Sequence, residues 1–323
     1  WLASQSETAL GLYTNLGGVV GIGIGLSGMI VVMGAVGQVA PPERRSTAFG
    51  VVTVAFSIGM FVMAPLIQYL INYYGWSRAL QAGGGLVLII SLLALGLPGN
   101  KSKREKHTEP KPDSELTLLE TIYGAMSHSG YLLLNVGFFV CGFHVAFIGT
   151  HLPSFLQSEG ISVSTASWAL AMIGLFNMFG SMIFGRMGDS LSKKNLLSLL
   201  YTLRAVVIAG FIAIPINEIT AIVFGAAIGF FWLATVPLTS GIVAQVFGTR
   251  YLSTLWAIVF FSHQIGAFLG VWLGGRVYDA TGSYTPVWLA SIALGLLAGI
   301  IHLPIREHPW KSPALKMQPS GGD

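Results

Sequence analysis

The chain has 323 residues, of which 53% are hydrophobic and only 9% charged, with a formal net charge of +4 and one cysteine. A water-soluble domain carries about 25% charged residues, so this composition, with a mean hydropathy of +0.71, excludes an ordinary soluble fold. The basic excess lies in short loops between apolar runs and so does not suggest nucleic acid, and the lone Cys141 excludes an intrachain disulfide.

Apolar runs of roughly 18 or more residues read as membrane spans. Nine are predicted in chain order, at about 12–39, 48–72, 79–97, 129–152, 163–185, 196–214, 218–246, 254–276 and 284–304. Each can cross about 30 Å of hydrocarbon at about 1.5 Å per residue. Lipid leaves the helix as the spanning backbone, and the alternation of a membrane barrel is missing from the sequence, so the expected fold is an all-α membrane protein. In the first span Gly17, Gly21 and Gly25 have small-xxx-small spacing, which lets helices touch at backbone distance. Tyr73, Tyr74, Trp76 and Trp310 fall near span ends, as interfacial aromatic residues do. Residues 98–128 are charged and contain proline, and read as a solvated linker with a short surface helix over 114–125; the polar tail 306–323 reads as disordered.

Orientation follows from the loop cations. Arg44, Arg45, Lys101, Lys103, Arg104, Lys106, Lys111, Arg186, Lys193, Lys194, Arg250, Arg306, Lys311 and Lys316 all fall on one side, fourteen of the 17 Lys and Arg. Arg78 and Arg276 fall on the other, and Arg204 lies inside a span. The fourteen mark the cytoplasmic side, so the C-terminus is expected in the cytoplasm and the multi-pass chain in the plasma (inner) membrane.

Six spans follow the basic linker and three precede it. Arg45 and Arg250 each open a span, and a V-x-F-S tetrad follows at the same distance from each, Val54–Ser57 and Val259–Ser262. This weak repeat pairs the second span with the eighth, and parallel halves are a feature of transporters. Equal halves imply that the nine spans are helices 4–12 of a twelve-helix protein. The expected domains are an incomplete N-terminal domain (1–97), the linker (98–128), a six-helix C-terminal domain (129–305) and the tail (306–323). A nine-span protein without a repeat is the alternative.

Three stretches carry a family resemblance. They are Pro41-Pro-Glu-Arg-Arg45 with Ala48-x-Gly50, Ala64-Pro65-Leu66 and Tyr74-Gly75-Trp76; Gly185-Arg-Met-Gly-Asp189 with Lys193-Lys194; and Gly274-Gly-Arg276 with Tyr278-Asp279 and Gly282-x-Tyr284. They resemble the major facilitator superfamily, and most closely its monocarboxylate-porter branch, which includes the oxalate:formate antiporter. The second stretch is similar to the superfamily's cytoplasmic loop between helices 8 and 9. The resemblance implies a gating loop of Gly185, Arg186, Asp189, Lys193, Lys194 and Arg45. There Gly185 permits close approach, and Asp189 can accept hydrogen bonds from a helix N-terminus. Ser190 and Ser192 stand where the family has Arg and Gly. A positive-inside anchor is the plainer reading of the same loop.

The polar residues within spans bear on substrate chemistry. No Asp or Glu lies mid-span, so proton coupling through a visible carboxylate is not expected. His263, beside Gln264 and Ser262, sits near mid-membrane, where the resembling branch has a charged substrate-site residue; a neutral or protonated imidazole there could hold a carboxylate. Arg204 is the one charge deep in a span, and unpaired in hydrocarbon it would cost at least ~2.5–3.5 kcal/mol. It should therefore face protein, water or an anion, or satisfy helix-end carbonyls. His144 and His151 lie two turns apart on one face, His144 deep, and their spacing does not suit a metal pair. Asn177 and Ser181 stand where animal-type monocarboxylate porters have an Asp and a substrate-holding Arg, which argues against a simple lactate–proton symport mechanism.

The expected function is secondary active transport of a small organic (mono)carboxylate anion by alternating access. The substrate pathway would be lined by His263, Arg204, His144, Asn177, Ser181 and Gln264. The partners are the small-molecule substrate, a proton or counter-transported anion, and the lipid bilayer, with no cofactor and no metal. An exporter of a hydrophobic or cationic compound is the alternative, although Gly59–Pro65 holds only a fragment of the motif such exporters carry on helix 5. An enzyme is not expected, because HExxH, GxSxG and an intramembrane acid pair are all missing.

Overall fold

A computed structural model describes residues 1–94 and 117–310. Most of the linker and the end of the tail, with Lys101, Lys103, Arg104, Lys106, Lys111, Lys311 and Lys316, lie outside the described residues. The described chain is built from α1 (Ala9–Val39), α2 (45–74), α3 (76–94), α4 (Leu118–Met126), α5 (Ser129–Ser158), α6 (Val163–Ser190), α7 (Lys193–Ala213), α8 (Glu218–Phe230), α9 (Thr235–Phe247), α10 (Leu252–Thr281) and α11 (Thr285–His302).

Among the described residues eight stretches, not nine, are long and apolar enough to cross a membrane. The difference lies at Pro42–Ile89, which runs on for 48 residues where the sequence predicts two spans. Within it Gly75 has φ 78 and ψ 163, a conformation closed to residues with a Cβ. It divides the run into α2 and α3, at the gap expected between 72 and 79. The predicted seventh span is also discontinuous, broken at residues 231–234 between α8 and α9. The surface helix expected over 114–125 is α4, whose Leu119 and Tyr123 face outward.

The chain divides into two units. The first comprises Trp1–Gly28 and Pro65–Thr117. In it the Ala3–Gln5 turn docks on α3, with Ser77 Oγ donating to the Ser4 carbonyl at 2.7 Å and Gln81 Nε2 donating to Ser4 Oγ at 3.1 Å.

The second unit comprises Met29–Ala64 and Leu118–Asp323 and holds every candidate site residue. Here α5 packs along α10, α6 along α8, and α7 along α11, while α9 touches α6 and α7 and the 29–39 half of α1 meets α10. The core is aromatic: Trp232, Trp256, Trp288, Tyr131 and Tyr201 are fully buried, and Phe211 stacks on Phe224 at 3.9 Å beneath the edge of Trp288. Some helix starts are capped by side chains. Ser162 accepts the Thr165 N–H ahead of α6, and Asn217 and Thr220 form a reciprocal box on α8. At the α5–α10 seam a Cβ on Gly142 would lie 1.8 Å from the His263 carbonyl oxygen, so only glycine lets these backbones meet.

Candidate functional site

The broken helix organises the centre of the second unit. A break exposes backbone groups that hydrocarbon cannot satisfy, and it survives only where protein supplies partners. Arg204, on α7 and completely buried, supplies two of them. Its Nη2 donates to the carbonyls of Phe231 and Trp232, each at 2.6 Å. Asn177, on α6 and equally buried, supplies a third, its Oδ1 accepting the Leu233 N–H at 2.8 Å. The same oxygen takes Ser181 Oγ–H at 3.2 Å, and the Asn177 amide donates to Ser57 Oγ on α2 at 2.7 Å. Asn177 and Ser181 are thus committed to protein, and both Nη2 bonds of Arg204 go to backbone.

The remaining side of the guanidinium meets Cys141. Arg204 Nη1 lies 3.6 Å from its sulfur, and Thr235 Oγ1, on the first residue of α9, lies 3.3 Å away. The imidazole of His263 faces the same thiol from α10. Arg204 and His263, far apart in sequence, therefore flank one cysteine. Only its depth in an apolar run distinguishes Cys141 in the sequence. Arg204 Nε has no partner among the described residues.

His263 is 7% exposed, stacked on Phe260 at 5.1 Å and tilted against Phe138 at 5.0 Å. Its Nδ1 lies 3.1 Å from Oε1 of Gln264, which is itself exposed. His144 is fully buried, with Nε2 on the Ser291 carbonyl at 2.7 Å and Nδ1 unpartnered among the described residues. His151 holds the Val271 carbonyl at 2.9 Å. Among the described residues no cluster of His, Cys, Asp or Glu could hold a metal ion.

A second polar centre lies where α2 and α7 begin and α6 ends. Asp189 accepts the backbone N–H groups of Ser46 at 2.8 Å and Thr47 at 3.2 Å, and the Thr47 hydroxyl. A carboxylate here satisfies donors that a helix N-terminus leaves free, and it meets the positive end of the helix dipole. Gly185 makes the approach possible, since a Cβ on it would lie 3.0 Å from the Ser46 carbonyl oxygen. Arg45 Nη2 reaches the Ala40 carbonyl at 3.5 Å, and its buried Nε has no partner among the described residues. Lys193 donates to Gln245 at 2.7 Å, and Lys194 donates to the Leu303 carbonyl at 2.8 Å. Glu307 accepts from Ser192 Oγ and from the Lys194 N–H. Arg186 is exposed. Arg45, Ser46, Asp189, Lys193, Gln245 and Glu307 line a cavity of about 630 Å³. The sequence pointed to Asp189 but not to Ser46, Thr47 or Glu307 as partners.

Comparison with known proteins agrees with this architecture. The sequence matches the family described as the Major Facilitator Superfamily over residues 9–235 and 134–319. It is 27% identical to monocarboxylate transporter 12 of Mus musculus, over 94% of this chain and 68% of that protein. It is 29% identical to monocarboxylate transporter 13 of Rattus norvegicus, over 81% and 60%, and 24% identical to the MFS-type transporter YcxA of Bacillus subtilis (strain 168), over 80% and 64%. The chain thus spans about two thirds of the length of these relatives. It is a multi-pass membrane transport protein rather than an enzyme, and it belongs to the Major Facilitator Superfamily as a monocarboxylate-porter-like member.

Proposed function

We propose that this protein is a secondary active transporter of a small organic monocarboxylate that works by alternating access. The observation that carries the mechanism is the Asp189 carboxylate seated on the N-terminus of α2. That contact ties the end of α6 to a helix from the other side of the linker. A solute path at this end can open only if the contact breaks, so its strength sets the balance between closed and open states. Arg45, Arg186, Lys193 and Lys194 surround the contact and make this end the cytoplasmic one by the positive-inside rule. The C-terminus is then cytoplasmic and the plasma (inner) membrane the site of action. In this reading residues 1–97 belong to one half of the transporter and 129–305 to the other, with 98–128 as the linker.

The substrate class is supported by the monocarboxylate transporters among the relatives and by the mid-membrane charge, which is cationic. His263, with the exposed Gln264, is the group that meets the carboxylate. Arg204 and His144 act from behind it, and the buried Asn177 and Ser181 support the wall without facing the solute. A proton or a counter-transported anion supplies the driving force. Uptake into proteoliposomes tests the reading with labelled formate, acetate, lactate, pyruvate and oxalate, and with a lipophilic cation. Saturable uptake of a monocarboxylate is expected. Saturable uptake of the cation with none of any carboxylate would overturn the substrate class.

A further inference from the structure

The break between α8 and α9 is held from two sides, and only the hold from α6 extends to α2. Arg204 grips the Phe231 and Trp232 carbonyls from α7 and reaches no further than Cys141. Asn177 grips the Leu233 N–H from α6, but the orientation of its amide is fixed at the other end by Ser57 on α2. Ser57 has no exposed surface, and its own hydroxyl is donated to the Thr53 carbonyl at 2.9 Å. Its oxygen is therefore left as an acceptor aimed at Asn177. An unbroken path of hydrogen bonds thus runs from α2 through one amide side chain into the irregular turn of a membrane helix.

We propose that Asn177 is a positioning residue that couples the docking of α2 to the geometry of the broken helix. While α2 is docked, Ser57 Oγ takes one amide proton and orients Oδ1 onto the Leu233 N–H. When α2 moves away, the amide loses its acceptor and is free to turn, and a buried backbone N–H loses its partner. An orphaned N–H in an apolar interior is unfavourable, so residues 231–234 re-form around the Arg204 anchor. Thr235 opens α9 next to Cys141, so the rearrangement uncovers that thiol. The turn is then a hinge set by α2, and Asn177 is its sensor rather than a group that touches solute. This rests on the alternating-access reading but not on the identity of the solute.

Cys141 is the one cysteine of the sequence and serves as an internal reporter. The experiment measures its rate of modification by methyl methanethiosulfonate in the reconstituted protein, together with hydrogen exchange over residues 229–236. Ser57→Ala, which removes the acceptor, should raise both rates about tenfold, the effect of one buried hydrogen bond of roughly 1.4 kcal/mol. Ser57→Thr, which keeps a hydroxyl, should restore the native rates. Asp189→Asn, which releases α2 from its far end, should also speed Cys141 modification. Native rates in Ser57→Ala would overturn the coupling, as would equal rates in Ser57→Thr and Ser57→Ala. So would an Asp189→Asn protein in which exchange at 46 and 47 rises while Cys141 stays as slow as before. Failure to transport carboxylates leaves all these outcomes readable.

Discussion

The carboxylate of Asp189 sits on the N-terminus of α2, 2.8 Å from the Ser46 nitrogen, although 143 residues separate the two in sequence. A charged acceptor on free helix donors contributes about 1.5–3 kcal/mol per bond, with up to about 2 kcal/mol from the helix dipole. Asn in its place keeps one carbonyl oxygen but loses the charge and the second acceptor. Asp189→Asn should therefore raise amide exchange at residues 46 and 47 by tenfold or more, read by mass spectrometry of peptides spanning 42–50. Native protection there would mean that the carboxylate does not hold α2.

Arg204 should behave as a structural clamp. Removing it leaves the carbonyls of Phe231 and Trp232 without donors, each costing about 1–3 kcal/mol. Arg204→Met should thus lower stability by roughly 2–6 kcal/mol, seen as a fall in thermal midpoint in detergent. Arg204→Lys should recover part of the loss, since an ammonium donates without the fixed fork of a guanidinium. A Met variant that melts with the native protein would contradict the clamp.

These two residues show how far the sequence reaches. Long apolar runs are a local property, and so most spans and the gap at Gly75 were legible. The isolated charge of Arg204 already implied a partner, because hydrocarbon forbids a bare guanidinium, but the partner is a break 27 residues onward. The 218–246 run gave no sign of that break, since Phe231-Trp232-Leu233-Ala234 is as apolar as its flanks. What breaks the helix is tertiary: donors and acceptors delivered by α6 and α7. For the same reason Ser57 was visible only as part of a weak repeat. Cys141, flanked by Arg204 and His263, was not visible as part of a site at all.

His128 provides a pH-dependent contact outside the spans. It precedes α5, and its Nδ1 accepts the Tyr131 N–H at 3.3 Å, which requires the neutral ring. Burial, and then the charge of Arg306, lower its pKa below the usual 6.5. A lowered folded-state pKa means that the unfolded chain binds the proton first. The cap is therefore intact above pH 6.5 and is lost as pH falls through the lower folded value. His128→Asn should cap at any pH. Between pH 8 and 5 the native protein should lose about 0.5–1 kcal/mol relative to that variant. Parallel melting curves across the range would remove His128 from the pH response.

His263→Phe separates packing from chemistry. A phenyl ring preserves the stack on Phe260 and the contact with Phe138 but removes both ring nitrogens. The fold should survive, with a near-native thermal midpoint. If the imidazole meets the solute carboxylate, its loss forfeits a charge-assisted bond of about 1.5–3 kcal/mol, and uptake should fall at least about tenfold. Native uptake by a well-folded His263→Phe protein would place the anion elsewhere.

Two glycines of α5 should respond in opposite ways to the same substitution. At Gly142 an added Cβ would lie 1.8 Å from the His263 carbonyl oxygen and 3.0 Å from the Ala267 nitrogen, so α10 has to move back. Backbone atoms cannot swing aside as a side chain can, and forced separation of a packed seam costs about 1–3 kcal/mol. The shift also draws His263 away from Cys141, so uptake should fall along with stability. At Gly149, two turns along the same helix, nothing lies within 4 Å of an added Cβ, and alanine favours the helix by up to about 1 kcal/mol. Gly149→Ala should therefore melt at or above the native midpoint and transport normally, while Gly142→Ala melts below it. Equal midpoints for the two variants would show that the α5–α10 seam has slack, and that backbone contact does not set the position of His263.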